Sequence, residues 1–598
     1  MKSLAAYACV GIAILAFDGQ MPSGHVRADD TATPPPAAAS SPASSKAPTP
    51  APPDERDRRA RALVEVLAHS DPALRAMATE KLLALGSDAR RAIFDATKSD
   101  NPELRAIASD LLNKLPWFLP DDSPNIRILL ANYGTLNVEQ RRDVIEKLAE
   151  NRAHGFDAMF RLIQEEPSDD VKWAIATEVR QCFRPEVLTQ FRTLPTNDPL
   201  TPAPQLAAAG HAMFVKDQEA AAKLFRRAID VELDRPANDN GELGYAFDRL
   251  QFVHHVNERY AKMAEVARLR AARSTPEEGD VPAGVLELFT LHAKFGPLPG
   301  FEKDLTTYQN GMNDERVMYC LAKVFDRSGQ RFLAAATQQG AFMGGLVSGE
   351  TRRKTGEFLF LQSWYEPAMA EWSARLGVDG DLNDLERGEI HHRLYKAAAA
   401  RDQDALAAEH LTQCVDLIHK AGRSFTGPGD IAMAQEISWH SLRAAQKRGD
   451  KAAVQTHLGD LMRYGLAPAN PDVTIEVVPL LREAGREAEA KQMFTNSFDA
   501  LKAKLDQDPD SPVPRNNLAW LCARCGEKKL EALAWAKEAS GIIPDNYAYM
   551  DTLAETHLIN GNAAEAVRIE KIVVRLRPGD VFLEKQLARF EAAAKAGK

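Results

Sequence analysis

Cys522 and Cys525, in "LCARCGEKK", form the one Cys-x-x-Cys of the 598-residue chain. That spacing serves dithiol redox pairs and supplies half of a zinc site. On a helix both thiols face the same way, which suits redox or metal chemistry, but it equally suits two small apolar side chains in a helix seam. A zinc site needs a second such pair, and the sequence has none. "EIHH" gives a Glu-x-x-His, Glu389 to His392, whereas di-iron carboxylate bundles use two such motifs with two further glutamates. His254 with His255, and the set His410, Cys414 and His419, have no partner motif either. "GGLVSGET" (344–351) has phosphate-loop spacing, but Glu350 stands where a lysine must reach the phosphates. A carboxylate there repels the ligand, so a turn between helices is expected. No catalytic residue, no metal and no cofactor is expected, with a bridge between Cys522 and Cys525 kept as the testable exception.

The elements that position these residues are helices. Ala, Leu, Glu, Lys and Arg dominate, alternating runs of Val, Ile, Thr and Tyr are nearly absent, and the longest strand signal is the isolated "DVTIEVVPLL" (472–481). With 45% hydrophobic and 26% charged residues the chain can bury several cores, as more than one domain or as an extended repeat. A net charge of -10 and no basic stripe argue against a nucleic-acid partner.

Lys2 precedes an apolar run, "LAAYACVGIAILAF", of 14 residues, short for a membrane span and right for the core of a signal peptide. "VRA" before "DD" predicts a signal peptide over 1–28, cleaved after Ala28. The alternative is an uncleaved signal that tethers the chain to a membrane. Residues 29–56 carry eight prolines among Ala, Ser and Thr, a composition too poor in apolar surface to offset ordering entropy. An extended linker is expected there.

"DPALRAMATEKLLAL" (71–85) and "NPELRAIASDLLNKL" (101–115) match at an offset of 30 residues. Each opens on an Asp/Asn-Pro pair able to cap a helix and preset its first turn, and Gly86 stops the first helix. "PSDDVKWAIATEVRQCF" (167–183) is a weaker copy. The pattern resembles HEAT-like repeats, placed over 57–200, and implies stacked helix pairs.

A second period ends the chain. Pro544 recurs as Pro578 and Ala532 as Ala566 at 34 residues, and Leu518-Ala519 recurs as Leu553-Ala554 at 35. Alanines at 519, 532 and 539 suit close helix crossings, Leu518 fills the seam, Gly526 ends one helix and Pro544 stops the next. This resembles the tetratricopeptide repeat, with looser copies over 205–598 and the clearest over 513–580. The resemblance implies an all-α, right-handed superhelix of helical hairpins, a solenoid in which HEAT-like repeats precede tetratricopeptide-like ones. It also implies a non-catalytic scaffold that binds proteins or peptides on a concave face. Carried over position by position, Asn516, Trp520, Asp551 and Glu555 face that groove. Trp520 is an anchor or a core residue, and Asp551 with Glu555 would repel acidic peptides. An exported, periplasmic or envelope scaffold is the expectation; a redox or metal protein using Cys522 and Cys525, or a structural, glycan-associating envelope protein, are the alternatives. Cys522 is expected in a packing position answered by His557, and Cys525 at a helix end.

Overall fold

The computed structural model describes residues 55–182, 185–233, 242–273, 281–344, 348–378, 382–423, 428–463 and 471–597. The signal peptide and nearly all of the proline-rich segment lie outside them; Glu55 and Arg56, placed in the linker from the sequence, instead open the first helix. Helices, joined by turns, are the only repetitive structure among the described residues, and they cluster into two compact units, 55–213 and 214–597.

The first unit runs α1 (Glu55–Val66), α2 (Pro72–Leu85), α3 (Arg90–Ala96), α4 (Pro102–Lys114), α5 (Pro124–Leu130), α6 (Val138–Glu150), α7 (Arg152–Glu165), α8 (Asp169–Gln181), α9 (Pro185–Phe191) and α10 (Ala203–Phe214). The copies at 71 and 101 fold alike because their first five residues do the same work. Asp71 and Asn101 cap α2 and α4 with their side chains, and proline follows each. Arg75 and Arg105 reach back to the carbonyls of the preceding turn, His69 at 2.9 Å and Ser99 at 2.6 Å. At α8 the cap residue is Ser168, which makes no capping bond, so the third copy lacks this device. Buried Arg90 joins the helices: it pairs with Glu165 at 2.6 Å, bonds the carbonyls of Leu112, Leu115 and Pro116, and stacks on Trp117.

The second unit holds α11 (Gln218–Leu233), α12 (Glu242–Val256), α13 (Tyr260–Arg273), α14 (Ala283–Phe295), α15 (Phe301–Thr307), α16 (Glu315–Arg327), α17 (Arg331–Gly344), α18 (Gly349–Leu361), α19 (Tyr365–Val378), α20 (Asp384–Ala400), α21 (Asp404–Lys420), α22 (Pro428–Arg448), α23 (Lys451–Arg463), α24 (Pro471–Glu483), α25 (Glu487–Gln507), α26 (Pro512–Cys525), α27 (Lys529–Ile542), α28 (Tyr547–Ile559), α29 (Ala563–Leu576) and α30 (Val581–Lys595). The strand signal at 472–481 is overturned: it lies in α24, where tertiary packing buries Val473, Ile475, Val477, Val478 and Leu481 on a helix.

Eight of its hairpins close in one way. A left-handed residue, joined in the Gly526 turn by a second at Lys528, follows the first helix of each, at Glu258, Gly329, Ser363, Asp402, Gly449, Gly485, Gly526 and Gly561. The N–H after it donates to the carbonyl five residues earlier, over 2.7–3.0 Å, which satisfies an orphan carbonyl of the first helix. Glycine adopts this conformation freely, while Glu258, Ser363 and Asp402 hold it at a steric cost. The hairpins pack through apolar seams. Leu518, Ala519, Ala532, Ala539, Ala554 and Ala566 are all fully buried, while Leu553, Pro544 and Pro578 are half-buried.

The last hairpins also return to early ones. Asp545 pairs with Arg249, Arg575 with Glu258 at 3.1 Å, and Lys585 with Asp402 at 2.5 Å, while Arg577 donates to the carbonyl of Leu361 at 3.3 Å.

Candidate functional site

The first helices of the last hairpins, α22, α24, α26 and α28, together with α30, line two neighbouring cavities. The larger, about 510 Å³, is lined by Pro479 and Arg482 of α24, Ala523 to Gly526 at the end of α26, Glu555 and Ile559 of α28, and Arg589 of α30. The smaller, about 230 Å³, lies between Leu442, Arg443 and Gln446 of α22 and Ile475, Glu476 and Leu480 of α24. Pro479 and Arg524 line both. Pro479 sits inside α24 and has no N–H to donate to the carbonyl one turn earlier.

Three guanidiniums converge on the larger cavity. Arg482 donates to the Cys525 carbonyl and to Glu527, both at 2.7 Å. Arg589 forks onto Glu555. Arg524 differs: its carboxylate neighbours, Glu476 and Glu555, stand at 3.7 and 3.9 Å, and its buried Nε has no partner among the described residues. Its plane lies over the Trp520 ring, 5.4 Å from the centroid, and Trp520 meets Phe582 of α30 edge-on. A guanidinium stacked and left without a close carboxylate is poised to take one.

The four groove positions expected from the sequence divide. Trp520 is half-buried against the core of α22–α27 and borders the arginines. Asn516 is buried with its Oδ1 unpartnered. Asp551 and Glu555 are covered by the chain's own last helix: Gln586 donates to Asp551 and Arg589 holds Glu555. The acidic groove floor that would repel carboxylates is therefore corrected, because α30 neutralises it and Arg482, Arg524 and Arg589 give the cavity the opposite sign. Beneath, Glu570 of α29 is fully buried beside Asp551, and neither of its oxygens accepts from an N–H or hydroxyl among the described residues. Burial and mutual repulsion hold the Asp551 and Glu570 carboxyls well above the usual range. Sequence reasoning missed the arginines. Their signal was an arginine in the last turn before a hairpin glycine, in "LLREAG" and "CARCG".

The thiols between which Arg524 stands are closed off from solvent. Cys522 and Cys525 are free and buried within the core of α22–α27, with no bridge between them. Burial pushes both up to about 12, so desolvation dominates over the helix-end effect that position alone suggests. Cys525 ends α26, as its place before Gly526 predicts. Among the described residues no group of three or more His, Cys, Asp or Glu side chains is arranged to hold a metal. His391 and His410 face each other, Nδ1 to Nδ1, at 3.1 Å without a third ligand. Residues 345–347 of the phosphate-loop-like stretch lie outside the described residues, and Ser348 beyond them caps the N-terminus of α18. No described helix is long and apolar enough to cross a membrane.

No protein-family model matches the sequence, and no curated protein matches it. Solved structures similar to it include the P58(IPK) TPR domain (12% identity, 76% of this chain and 99% of that one, TM-score 0.19) and yeast Tom70 (12%, 76% and 95%, TM-score 0.26). The Cut9-Hcn1 hetero-tetramer of APC/C is a third (11%, 86% and 98%, TM-score 0.25). Overlaps this small add nothing to what the hairpins themselves establish. Eight repeated turn closures and small-residue seams define an all-α protein of stacked helical hairpins, tetratricopeptide-like in pattern.

Proposed function

We propose that this chain is an exported, non-catalytic scaffold that holds a segment of a partner protein along the inner face of α22–α30. One observation carries the reading: a cavity of about 510 Å³ spanning three successive first helices and α30, walled by three arginines and one glutamate. Its size falls in the range of sites that bury a small ligand, about 300–1,000 Å³. Arginine forks match carboxylates, and the Trp520–Phe582 shelf beside them offers apolar surface to the flanking residues. The recognised segment is therefore acidic with an apolar neighbour. Random peptides displayed on phage and selected on the full chain test this. Enriched Asp and Glu, with at least tenfold weaker binding to Arg524→Gln, supports the reading; enrichment of basic peptides, or equal binding to the variant, sinks it.

The remaining parts rest on the sequence. The apolar N-terminal run supports export and cleavage after Ala28, and the proline-rich segment supplies reach. The shared caps of α2 and α4 support HEAT-like repeats over 57–200. N-terminal sequencing of the protein isolated from the cell envelope checks the export reading: Asp29 as first residue is expected, and Met1 in a soluble cytosolic fraction contradicts it.

A further inference from the structure

The contact between the last hairpins and the early ones is polar. It consists of charged groups from chain segments at least 183 residues apart: Arg575 with Glu258, Lys585 with Asp402, Arg577 with the Leu361 carbonyl, and Asp545 with Arg249. Among the described residues the apolar cluster of residues 547–590 shares no side chain with those of residues 263–411. The contact leaves buried polar atoms unsatisfied, namely Asp545 Oδ1, Arg575 Nε and Arg577 Nε. Positive groups crowd it: burial, with Lys294 and Arg575 nearby, pushes His255 down to about 4, and burial beside Arg577 pushes Lys294 down to about 8. The facing acids are Glu258, Asp402, Asp545 and Asp580.

A second, independent observation marks the same place. Four described residues other than glycine hold a left-handed conformation, Glu258, Ser363, Asp402 and Lys528, and the first three close hairpins in the place where glycine stands elsewhere. Those three lie in the turns that the last hairpins reach, Glu258 by Arg575, the Leu361 carbonyl by Arg577 and Asp402 by Lys585, whereas Lys528 lies away from them. Backbone strain is thus held where the contact forms, as it is at sites that clamp or switch. Large apolar interfaces lock modules together, whereas small polar ones allow relative motion.

We infer that this polar seam is a clasp: the second unit opens and closes there, with α28–α30 as the moving jaw and the turns at Glu258, Ser363 and Asp402 as its seat. Opening separates α28 and α30, which carry Glu555 and Arg589, from the early hairpins and bares the inner faces of both. The inference does not depend on what the arginine-lined cavity binds.

Spin labels at Lys262→Cys and Lys571→Cys, two exposed positions flanking the seam, report its opening by pulsed dipolar spectroscopy of the full chain carrying Cys9→Ser, since the thiols of the described residues are buried. At about 50 mM salt a single short distance is expected, and at about 1 M, where screening acts within a few ångströms, a longer one joins it. Arg575→Glu moves most of the population to the longer distance, and adding Glu258→Lys, which restores an opposite-charge pair, returns it. Both positions are partly exposed, so the variants fold. One unchanged short distance across all samples overturns the clasp, as does a double variant that stays open. A peptide selection that fails while the distances still respond overturns the binding proposal alone.

Discussion

Within the core of α22–α27 the chain packs Leu518, Leu521 and Ala532 with no accessible surface, while at the turn between α12 and α13 it sets Glu258 against Arg575 of α29 with both side chains partly in water. The first junction gains from every methylene buried and loses from any gap. The second exchanges hydration for a few ion pairs and leaves polar atoms unsatisfied, so its net gain is small and depends on salt. One superhelical stack therefore contains a permanent seam and a conditional one, and a few substitutions separate them.

The largest effect is expected inside the apolar seam. Leu518→Ala leaves a cavity among fully buried neighbours and should lower stability by about 2–5 kcal/mol in urea titrations. Glu570→Gln should act in the opposite direction. The folded chain holds this carboxyl above its ordinary value, so it binds protons that the unfolded chain releases, and stability falls as pH rises from the ordinary carboxyl range through the raised one. The amide abolishes that slope: no difference is expected below about pH 4, and a gain of about 1–3 kcal/mol at pH 8. A loss at pH 8 would mean that Glu570 is charged and paired. Gly526→Ala, at φ +74, should cost about 1 kcal/mol through the left-handed conformation alone, because its Cβ meets open space. Arg575→Glu comes last, with a change of about 0.5 kcal/mol or less in global stability, although it shifts the seam. A change as large as that of Leu518→Ala would show that the closing contact is part of the core.

The hairpins at 512–576 were legible because each local preference agrees there: alanines in the seam, glycine at the turn and a period of 34–35 residues. The middle of the chain blurred for two physical reasons. Turn residues stand 34 apart from Gly329 to Ser363 but 47 apart from Asp402 to Gly449, because α21 and α22 lengthen to 17 and 21 residues. Glycine, the mark of a turn, is also replaced at Glu258, Ser363 and Asp402. β-Branched residues at 472–481 imitated a strand, since a helix buried on most sides needs no alternation. The site was half legible. Position in the repeat placed Trp520 and Glu555 beside the cavity, but Arg482 and Arg589 enter it from other repeats, and α30's cover over Asp551 is a tertiary fact with no local trace.

Open stacks of helical hairpins tolerate gain or loss of a unit, since each touches only its neighbours. Here Glu258, Leu361 and Asp402 meet Arg575, Arg577 and Lys585 in matching chain order. Deleting one hairpin between Asp402 and Asp545 would carry every one of these partners out of reach together. The returning contact thus makes the chain count its own repeats, and fixes a number that the stacking alone leaves free.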